Sequence, residues 1–246
     1  MPKITSASAY SSESVMRQSI DSREGRLAGS HGRGDLPSEP TKRERTPAVS
    51  IRRMIPLWFK VAYTVFVVII VAIWLRHYGW RNLLWFSDIA LIGAVPAFWL
   101  EDARIASVLA VAVLLPEMLW NVDLAGRLLL GRRISGLTDY MFEQNRPLVL
   151  RRLSLFHVPL PLVLLWLLAA YGYAERVALP GAILLAAVVL PLSRGVSAPE
   201  KNINWSWGLG PFPSRLPAAA YVALLFLGFV ILVFVPTHAI LRNTFP

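Results

Sequence analysis

Long apolar segments dominate this chain and constrain its fold more than any other feature. The first one, Met54–Leu75, reads M-I-P-L-W-F-K-V-A-Y-T-V-F-V-V-I-I-V-A-I-W-L. A helix that crosses a bilayer needs roughly 20 such residues. Of the 246 residues, 55% are hydrophobic and 16% charged, and a soluble domain of this size has no core large enough to bury that much apolar surface. We therefore predict an all-α, polytopic membrane protein.

Five further apolar segments follow the first one, which predicts a bundle of about six transmembrane helices over residues 54–242. They are Leu83–Leu100, Ile105 to about Asn121, Leu153 to about Tyr173, about Val177 to Leu192, and Pro217 to about Leu241. The second and fifth segments of the six are short and contain Pro96 and Pro180. We expect these two helices to be tilted, kinked or extended into the interface.

Residues 1–50 differ in composition from the rest of the chain. They are rich in Ser, Arg, Glu, Gly and Pro and poor in apolar residues. Such a segment buries too little surface to offset its chain entropy, so we predict a disordered, basic N-terminal tail. Basic residues collect on the cytoplasmic side of membrane proteins, so Lys42, Arg43 and Arg45 favour a cytoplasmic N-terminus. In a bundle of six spans the loop 122–152 lies on the side opposite the N-terminus, and its arginines favour a cytoplasmic position for that loop instead. The two indications of orientation conflict.

Charge and cysteine content narrow the classes of partner and cofactor. The formal charge of +10 favours contact with anionic lipid head groups, and no nucleic-acid-binding motif accompanies it. The chain has no Cys, which excludes disulfides, thiolate metal sites and a cysteine nucleophile. Nucleotide-binding and haem-binding motifs are also missing from the sequence. We predict membrane lipids as partners, no nucleic acid, no metal and no cofactor in a multi-pass protein of the cell membrane.

Polar residues collect toward one side of the predicted bundle. Because loops alternate sides, connections 76–82, 122–152 and 193–216 lie on the same side, which we call the site face. Ser87, Asp88, Glu117 and His157 each lie about four to five residues from this face, at a depth of roughly 6–8 Å. A carboxylate inside a membrane normally faces the bundle interior with a partner. We expect these side chains to form one cluster, unless the two acids are interfacial.

The loops above this cluster supply further candidates for substrate binding. The stretch S-A-P-E-K-N-I-N-W-S-W-G-L-G-P, residues 197–211, places two amides and two indoles between apolar segments. These groups could hold a substrate head group, or the amides could satisfy the backbone of an ordered loop while the indoles belong to the aromatic belt. Residues 134–146 could form a short interfacial helix. With Glu117, the candidates for substrate binding are Asp139, Glu200, Asn202, Asn204 and Trp205.

Four short phrases resemble a family of bacterial six-helix proteins described as membrane-associated. They are L-T-D-Y-M-F (137–142), S-L-F-H-V-P-L-P (154–161), A-P-E-K-N-I-N-W-S-W-G (198–208) and V-P-T-H (235–238). The layout is also similar, more distantly, to the group that contains YwaF and the androgen-induced intramembrane hydrolases and acyltransferases. That resemblance implies a nucleophile on the second helix and a histidine on the fourth. Ser87 and His157 occupy similar positions here, with Ser in place of the expected Thr or Cys.

Two classes of function fit these residues. The first is an intramembrane lipid hydrolase or acyltransferase, in which Ser87 is the nucleophile, His157 the general base, and Asp88, Glu117 or Asn204 orients the base. The second is a non-catalytic carrier or channel, or a membrane scaffold. In that case Asp88, Glu117 and His157 would bind a cation, a proton or a lipid head group.

Overall fold

The protein is an all-α helical bundle of the membrane type. A computed structural model describes residues 54–209 and 214–245, and the predicted tail lies outside them. No strand occurs within these two ranges. The helices are α1 Leu57–His77, α2 Phe86–Leu100, α3 Ala103–Leu130, α4 Leu148–Tyr171, α5 Glu175–Val196 and α6 Ala218–Thr244. All but α2, which has 15 residues, are long and apolar enough to cross a membrane.

Helix α3 is the central element of the bundle and packs against α2, α4, α5 and α6. Small residues let the neighbouring helices approach it closely. Ala178, Ala182 and Ala186 of α5 follow each other at intervals of four, and all are fully buried. A Cβ atom added to Gly181 would overlap Cγ2 of Val108 on α3. This spacing of small residues is typical of helix pairs in membranes.

The predicted end of the third helix and start of the fourth were wrong. Helix α3 continues from the predicted end at Asn121 to Leu130 and stops at Gly131, which has a left-handed φ of 61°. Helix α4 begins directly after Pro147. The loop between them is therefore 131–147, half the predicted length. The polar Asn121 and Asp123 suggested a boundary, but they lie inside the helix because the loop folds back against it.

Prolines interrupt two helices close to their ends on opposite sides of the bundle. A 3₁₀ turn, Ser154–His157, precedes Pro159 in α4, and a π-helical turn, Phe229–Phe234, precedes Pro236 in α6. Proline has no N–H to donate to the preceding turn, so the hydrogen-bond pattern must change there. The hydroxyl of Thr237, the residue after this proline, donates to the carbonyl of Val233 at 2.6 Å. In α4 the interruption places His157 at the end of a 3₁₀ turn.

The face opposite the site face is closed by a short turn between α2 and α3. Glu101 adopts a left-handed φ of 51° there, and Asp102 caps the first turn of α3 by accepting from the N–H of Arg104 at 2.7 Å. Lys60, in the first turn of α1, reaches this turn. Its Nζ donates to Oε1 of Glu101 at 2.6 Å, which ties α1 to the α2–α3 turn.

Candidate functional site

A cavity of about 520 Å³ lies at the site face. Helices α1 to α4 and the connections 78–85, 131–147 and 197–209 contribute to its lining. Buried lining residues mark its interior, and exposed ones, such as Glu200 and Lys201, mark its mouth. The walls are mainly aromatic and apolar, with a few polar groups, which is the usual composition of a small-molecule site. Aromatic rings come from Trp74, Tyr78, Trp85, Trp120, Tyr140, Phe156 and Trp205.

The best-defined polar contact in the cavity joins α3 to α4. Oε2 of Glu117 lies 2.8 Å from Nδ1 of His157, and Glu117 is only 3% exposed. Asn121, one turn after Glu117, donates to the backbone carbonyls of both residues at 2.8 Å. The imidazole also stacks on the indole of Trp120, with ring centroids 4.6 Å apart. A carboxylate at Nδ1 favours the tautomer whose proton lies on Nδ1, which leaves Nε2 as an acceptor.

Asp88 is a second buried acid in the same cavity. It lies in the first turn of α2 and is 3% exposed. Among the described residues its side chain has one hydrogen-bond partner, the amide of Asn82, at 3.2 Å from Oδ2. No cationic side chain in the described ranges forms an ion pair with it. Asp88 therefore differs from Glu117, since no basic side chain of the described residues contacts its carboxyl group.

The 131–147 loop is held over the cavity by Asp123. The carboxylate of Asp123 accepts from four backbone N–H groups, those of Ile134, Ser135, Gly136 and Thr138, at 2.7–3.1 Å. The hydroxyl of Thr138 adds a fifth hydrogen bond at 2.6 Å. These contacts fix the loop so that it brings Tyr140 and Arg146 to the cavity. The predicted interfacial helix over 134–146 was wrong, because only a 3₁₀ turn, Asp139–Met141, forms there.

Tyr140, from the same loop, contributes a hydroxyl group to the cavity lining. The pKa of its phenol is raised to about 12, chiefly by burial. Hydrogen bonds with Ser154 and Trp120 oppose this rise, and the nearby acids Glu117 and Asp88 contribute to it. The hydroxyl therefore stays protonated at neutral pH. It can donate a hydrogen bond to a ligand in the cavity.

The 197–209 loop forms another part of the wall and is anchored by two asparagines. Asn204 accepts from the N–H of Phe86 at 3.1 Å and donates to the carbonyl of Leu84 and to Oγ of Ser193. Asn202 accepts from the N–H of Trp207 and donates to the carbonyl of Gly208, both at 2.8 Å. These bonds support three residues with positive φ, namely Asn202, Asn204 and Trp205. Non-glycine residues rarely adopt that region, so the loop is tightly specified.

Six of the nine candidate residues from the sequence line the cavity, and three do not. Those that line it are Ser87, Asp88, Glu117, His157, Glu200 and Trp205. Asp139 lies outside and forms ion pairs with Arg127 and Arg133. Asn202 and Asn204 also lie outside the lining, where their side chains satisfy backbone groups and, for Asn204, Ser193 as well. Within the described residues, Ser87 and His157 share no hydrogen bond, although they line one cavity.

Sequence reasoning did not select Tyr140, Arg146 or Trp74, which also line the cavity. The phrase L-T-D-Y-M-F contains Tyr140, but the sequence analysis selected its neighbour Asp139, because a carboxylate is a stronger indication of a binding site than a phenol. Trp74 lies inside the first apolar segment, where an indole gives no functional signal. Arg146 was one of several loop arginines and could not be distinguished from the others by composition.

Comparison of the chain with family models, curated proteins and solved structures finds no match. The class of the protein therefore follows from its own structure. It is an α-helical membrane protein with a mainly aromatic and apolar cavity, lined by a few polar groups, at one end of the bundle.

Proposed function

We propose that this chain is a six-pass protein of the cell membrane that binds the polar head group of a lipid in the site-face cavity. One observation carries the proposal, namely that Asp88, Glu117 and His157 line a single cavity of about 520 Å³ with aromatic walls. Buried acids inside a membrane are costly, and they usually mark a site for an ion, a proton or a ligand.

The size and composition of the cavity support a lipid head group. Ligand pockets measure roughly 300–1,000 Å³ and combine apolar walls with a few polar groups. The mouth carries Arg146, Glu200 and Lys201, so a charged head group would meet charged side chains on entry. A bundle whose surface faces lipid gives an attached acyl chain an apolar place to lie.

Lipid retention by the purified full chain tests this proposal. We expect native mass spectrometry to detect bound phospholipid, and we expect Ser87→Leu to reduce that binding because the larger side chain enters the cavity. Ser135→Leu is the matched control, because Ser135 is exposed on the site face and does not line the cavity. Equal lipid binding by the wild type and both variants would reject the cavity as the lipid site.

A second candidate function is lipid hydrolysis or acyl transfer, and the contact between Glu117 and His157 favours it. A histidine whose Nδ1 meets a carboxylate can use Nε2 as a general base. Ser87 lines the same cavity and would be the nucleophile. Its Oγ would attack an ester carbonyl while its proton passes to His157. The proton would then go to the departing alkoxide, and water or a second alcohol would take up the acyl group.

Ser87→Ala tests the catalytic candidate, since Ser87 has no hydrogen bond among the described residues whose loss would disturb folding. Release of labelled fatty acid from phospholipid in micelles is the measurement. A rate of hydrolysis that falls 10³-fold or more would support a nucleophilic role for Ser87, because losses of this order are typical when a member of a catalytic triad is removed. If Ser87→Ala retains full activity on a lipid that the wild type hydrolyses, the nucleophile is assigned wrongly.

A further inference from the structure

We propose that the cavity selects a zwitterionic phospholipid, with the ammonium group of the head beside Asp88 and the phosphate toward Arg146 and Lys201. This inference rests on the proposed lipid-binding function and names the ligand class. It follows from three features of the cavity: an acid without a counter-charge, an aromatic wall, and basic groups confined to the mouth.

The first feature is the missing counter-charge of Asp88. Glu117 has His157 at 2.8 Å, whereas Asp88 has only the neutral amide of Asn82 among the described residues. Taking a carboxylate out of water costs several kcal/mol unless a cation and hydrogen bonds replace the water. A ligand ammonium in the cavity would supply the missing cation. An anionic head group placed there would increase the cost.

The second feature is the aromatic lining of the cavity that also contains the two acids. Indoles and phenols attract a cation placed over their faces, and this attraction strengthens when water is excluded. Trp85 and Trp205 meet at an interplanar angle of 86° with centroids 5.9 Å apart, so they form a corner of the wall. Trp120 stacks on His157 from another side. A recess with acids and several ring faces suits primary and quaternary ammonium groups alike.

The third feature is the position of the basic groups. Arg146 is half-buried, and its guanidinium lies 5.2 Å from the ring centre of Tyr140 and 3.4 Å from the hydroxyl of Tyr78. The same guanidinium forms an ion pair with Glu143 at 3.2 Å, which leaves part of its donors for a ligand. Lys201 is exposed and donates to the carbonyl of Tyr78 at 3.2 Å. Both side chains keep further N–H donors, which suit a phosphate. Glu200 lies beside them at the mouth and limits the positive charge there.

A buried donor in the lining independently indicates a ligand oxygen. Nε1 of Trp120 is buried and makes no fully formed hydrogen bond within the described residues, although the hydroxyl of Tyr140 lies close enough to interact with it. Buried polar groups are almost always paired, so this donor is free to strengthen a contact with an acceptor that enters the cavity. A phosphate or ester oxygen of the ligand would be a suitable acceptor. Trp120 thus suits a hydrogen-bond acceptor such as a phosphate or ester oxygen, whereas Asp88 suits a cation. A zwitterionic head group provides both.

Binding of defined lipids to the full chain in detergent tests this inference. The probes are phosphatidylethanolamine, phosphatidylcholine and phosphatidylglycerol with identical acyl chains, followed by native mass spectrometry and tryptophan fluorescence. We expect the first two to bind about tenfold or more tightly than phosphatidylglycerol, the change expected for one charge-assisted contact. Asp88→Asn should remove this preference by weakening the two ammonium lipids, and Arg146→Gln should weaken all three.

Controls separate the inference from the function on which it rests. Glu175→Gln, an exposed acid on the opposite face, should leave every affinity unchanged. Cavity-dependent binding with equal affinity for phosphatidylglycerol would overturn the ammonium assignment and leave the lipid site standing. If Ser87→Leu reduces the binding of none of these lipids, the proposed function itself fails. Equal binding of water-soluble glycerophosphoethanolamine would overturn the assignment to a lipid.

Discussion

Glu117 and His157 are 40 residues apart in the chain, and in the folded protein Oε2 of one lies 2.8 Å from Nδ1 of the other. The contact joins the central helix α3 to the interrupted first part of α4. It also leaves the second nitrogen of the imidazole without a hydrogen-bond partner among the described residues. The pair thus connects two helices of the bundle at the lining of the cavity.

Removing the histidine should cost much more stability than removing an exposed ion-pair partner. His157→Ala leaves the buried Glu117 unpaired, and breaking a buried pair in this way costs about 3–5 kcal/mol. Adding Glu117→Gln to His157→Ala should recover part of the loss, because an amide is cheaper to bury than a charge. Denaturant titration of the purified protein in micelles measures both changes.

An exposed pair on the other face is the matched control for that experiment. Nη1 of Arg242 lies 3.5 Å from Oε1 of Glu175, and both side chains are more than half exposed. Glu175→Ala should therefore change the free energy of unfolding by only about 0–1 kcal/mol. If His157→Ala costs no more than Glu175→Ala, the contact between Glu117 and His157 does not stabilise the protein.

Asn204→Ala should loosen the 197–209 loop. The substitution leaves the buried N–H of Phe86 without its acceptor and the carbonyl of Leu84 without its donor. Each buried polar group left unpaired costs about 1–3 kcal/mol. We expect a lower unfolding midpoint and faster proteolysis at Lys201. Asn145→Ala is the control, since Asn145 is exposed and its side chain has no hydrogen bond among the described residues. Equal effects of the two substitutions would contradict the anchoring role.

Asp102→Asn should make stability less dependent on pH at acidic values. A side-chain hydrogen bond from Arg104 lowers the pKa of Asp102 to about 2, against about 3.9 in an unfolded chain. Because the folded pKa is the lower one, the stabilisation is complete above about pH 4 and disappears as the pH falls to about 2. Asparagine is also a good N-cap, so the variant loses mainly the charge.

Thermal unfolding between pH 6 and pH 2 measures this effect. The wild type should be more stable than Asp102→Asn at pH 6, by no more than about 1 kcal/mol because Arg104 is 70% exposed. The difference should shrink to nothing near pH 2. A difference that stays constant over this range would show that the charge of Asp102 contributes no stability.

Gly181→Ala should weaken the packing of α5 on α3. The added methyl group would overlap a side-chain methyl of Val108, and overpacking of this kind costs about 1–3 kcal/mol. Gly195→Ala in the same helix is the matched control, because nothing lies within 4 Å of the position of its added Cβ. Higher helix propensity should leave that variant equal to the wild type or slightly more stable. Equal unfolding midpoints for the two variants would argue against close α3–α5 contact.

The long apolar segments alone were sufficient to predict the class of fold. Long hydrophobic segments must be helical in a bilayer, since every backbone polar group has to be paired within the segment. The alternation of loops then indicated that Asp88, Glu117 and His157 approach the same end of the bundle. The structure brings all three to one cavity, although α3 extends nine residues beyond its predicted end, from Asn121 to Leu130.

Side-chain pairing was decided only by the tertiary structure. Successive residues of a helix point about 100° apart, so the rotation of α2, α3 and α4 determines which atoms meet, and packing of the whole bundle fixes that rotation. The sequence left Asp88, Glu117 and Asn204 open as partners of His157, and the rotation of the helices turns Glu117 toward the imidazole. Likewise, the sequence placed Asp123 just after the end of a helix, because a polar residue usually ends an apolar segment. Its hydrogen-bond donors lie in the following loop, and only the folding of that loop back onto α3 brings them to Asp123. Local pattern thus determined the helices and the end at which the polar groups gather, and packing determined their partners.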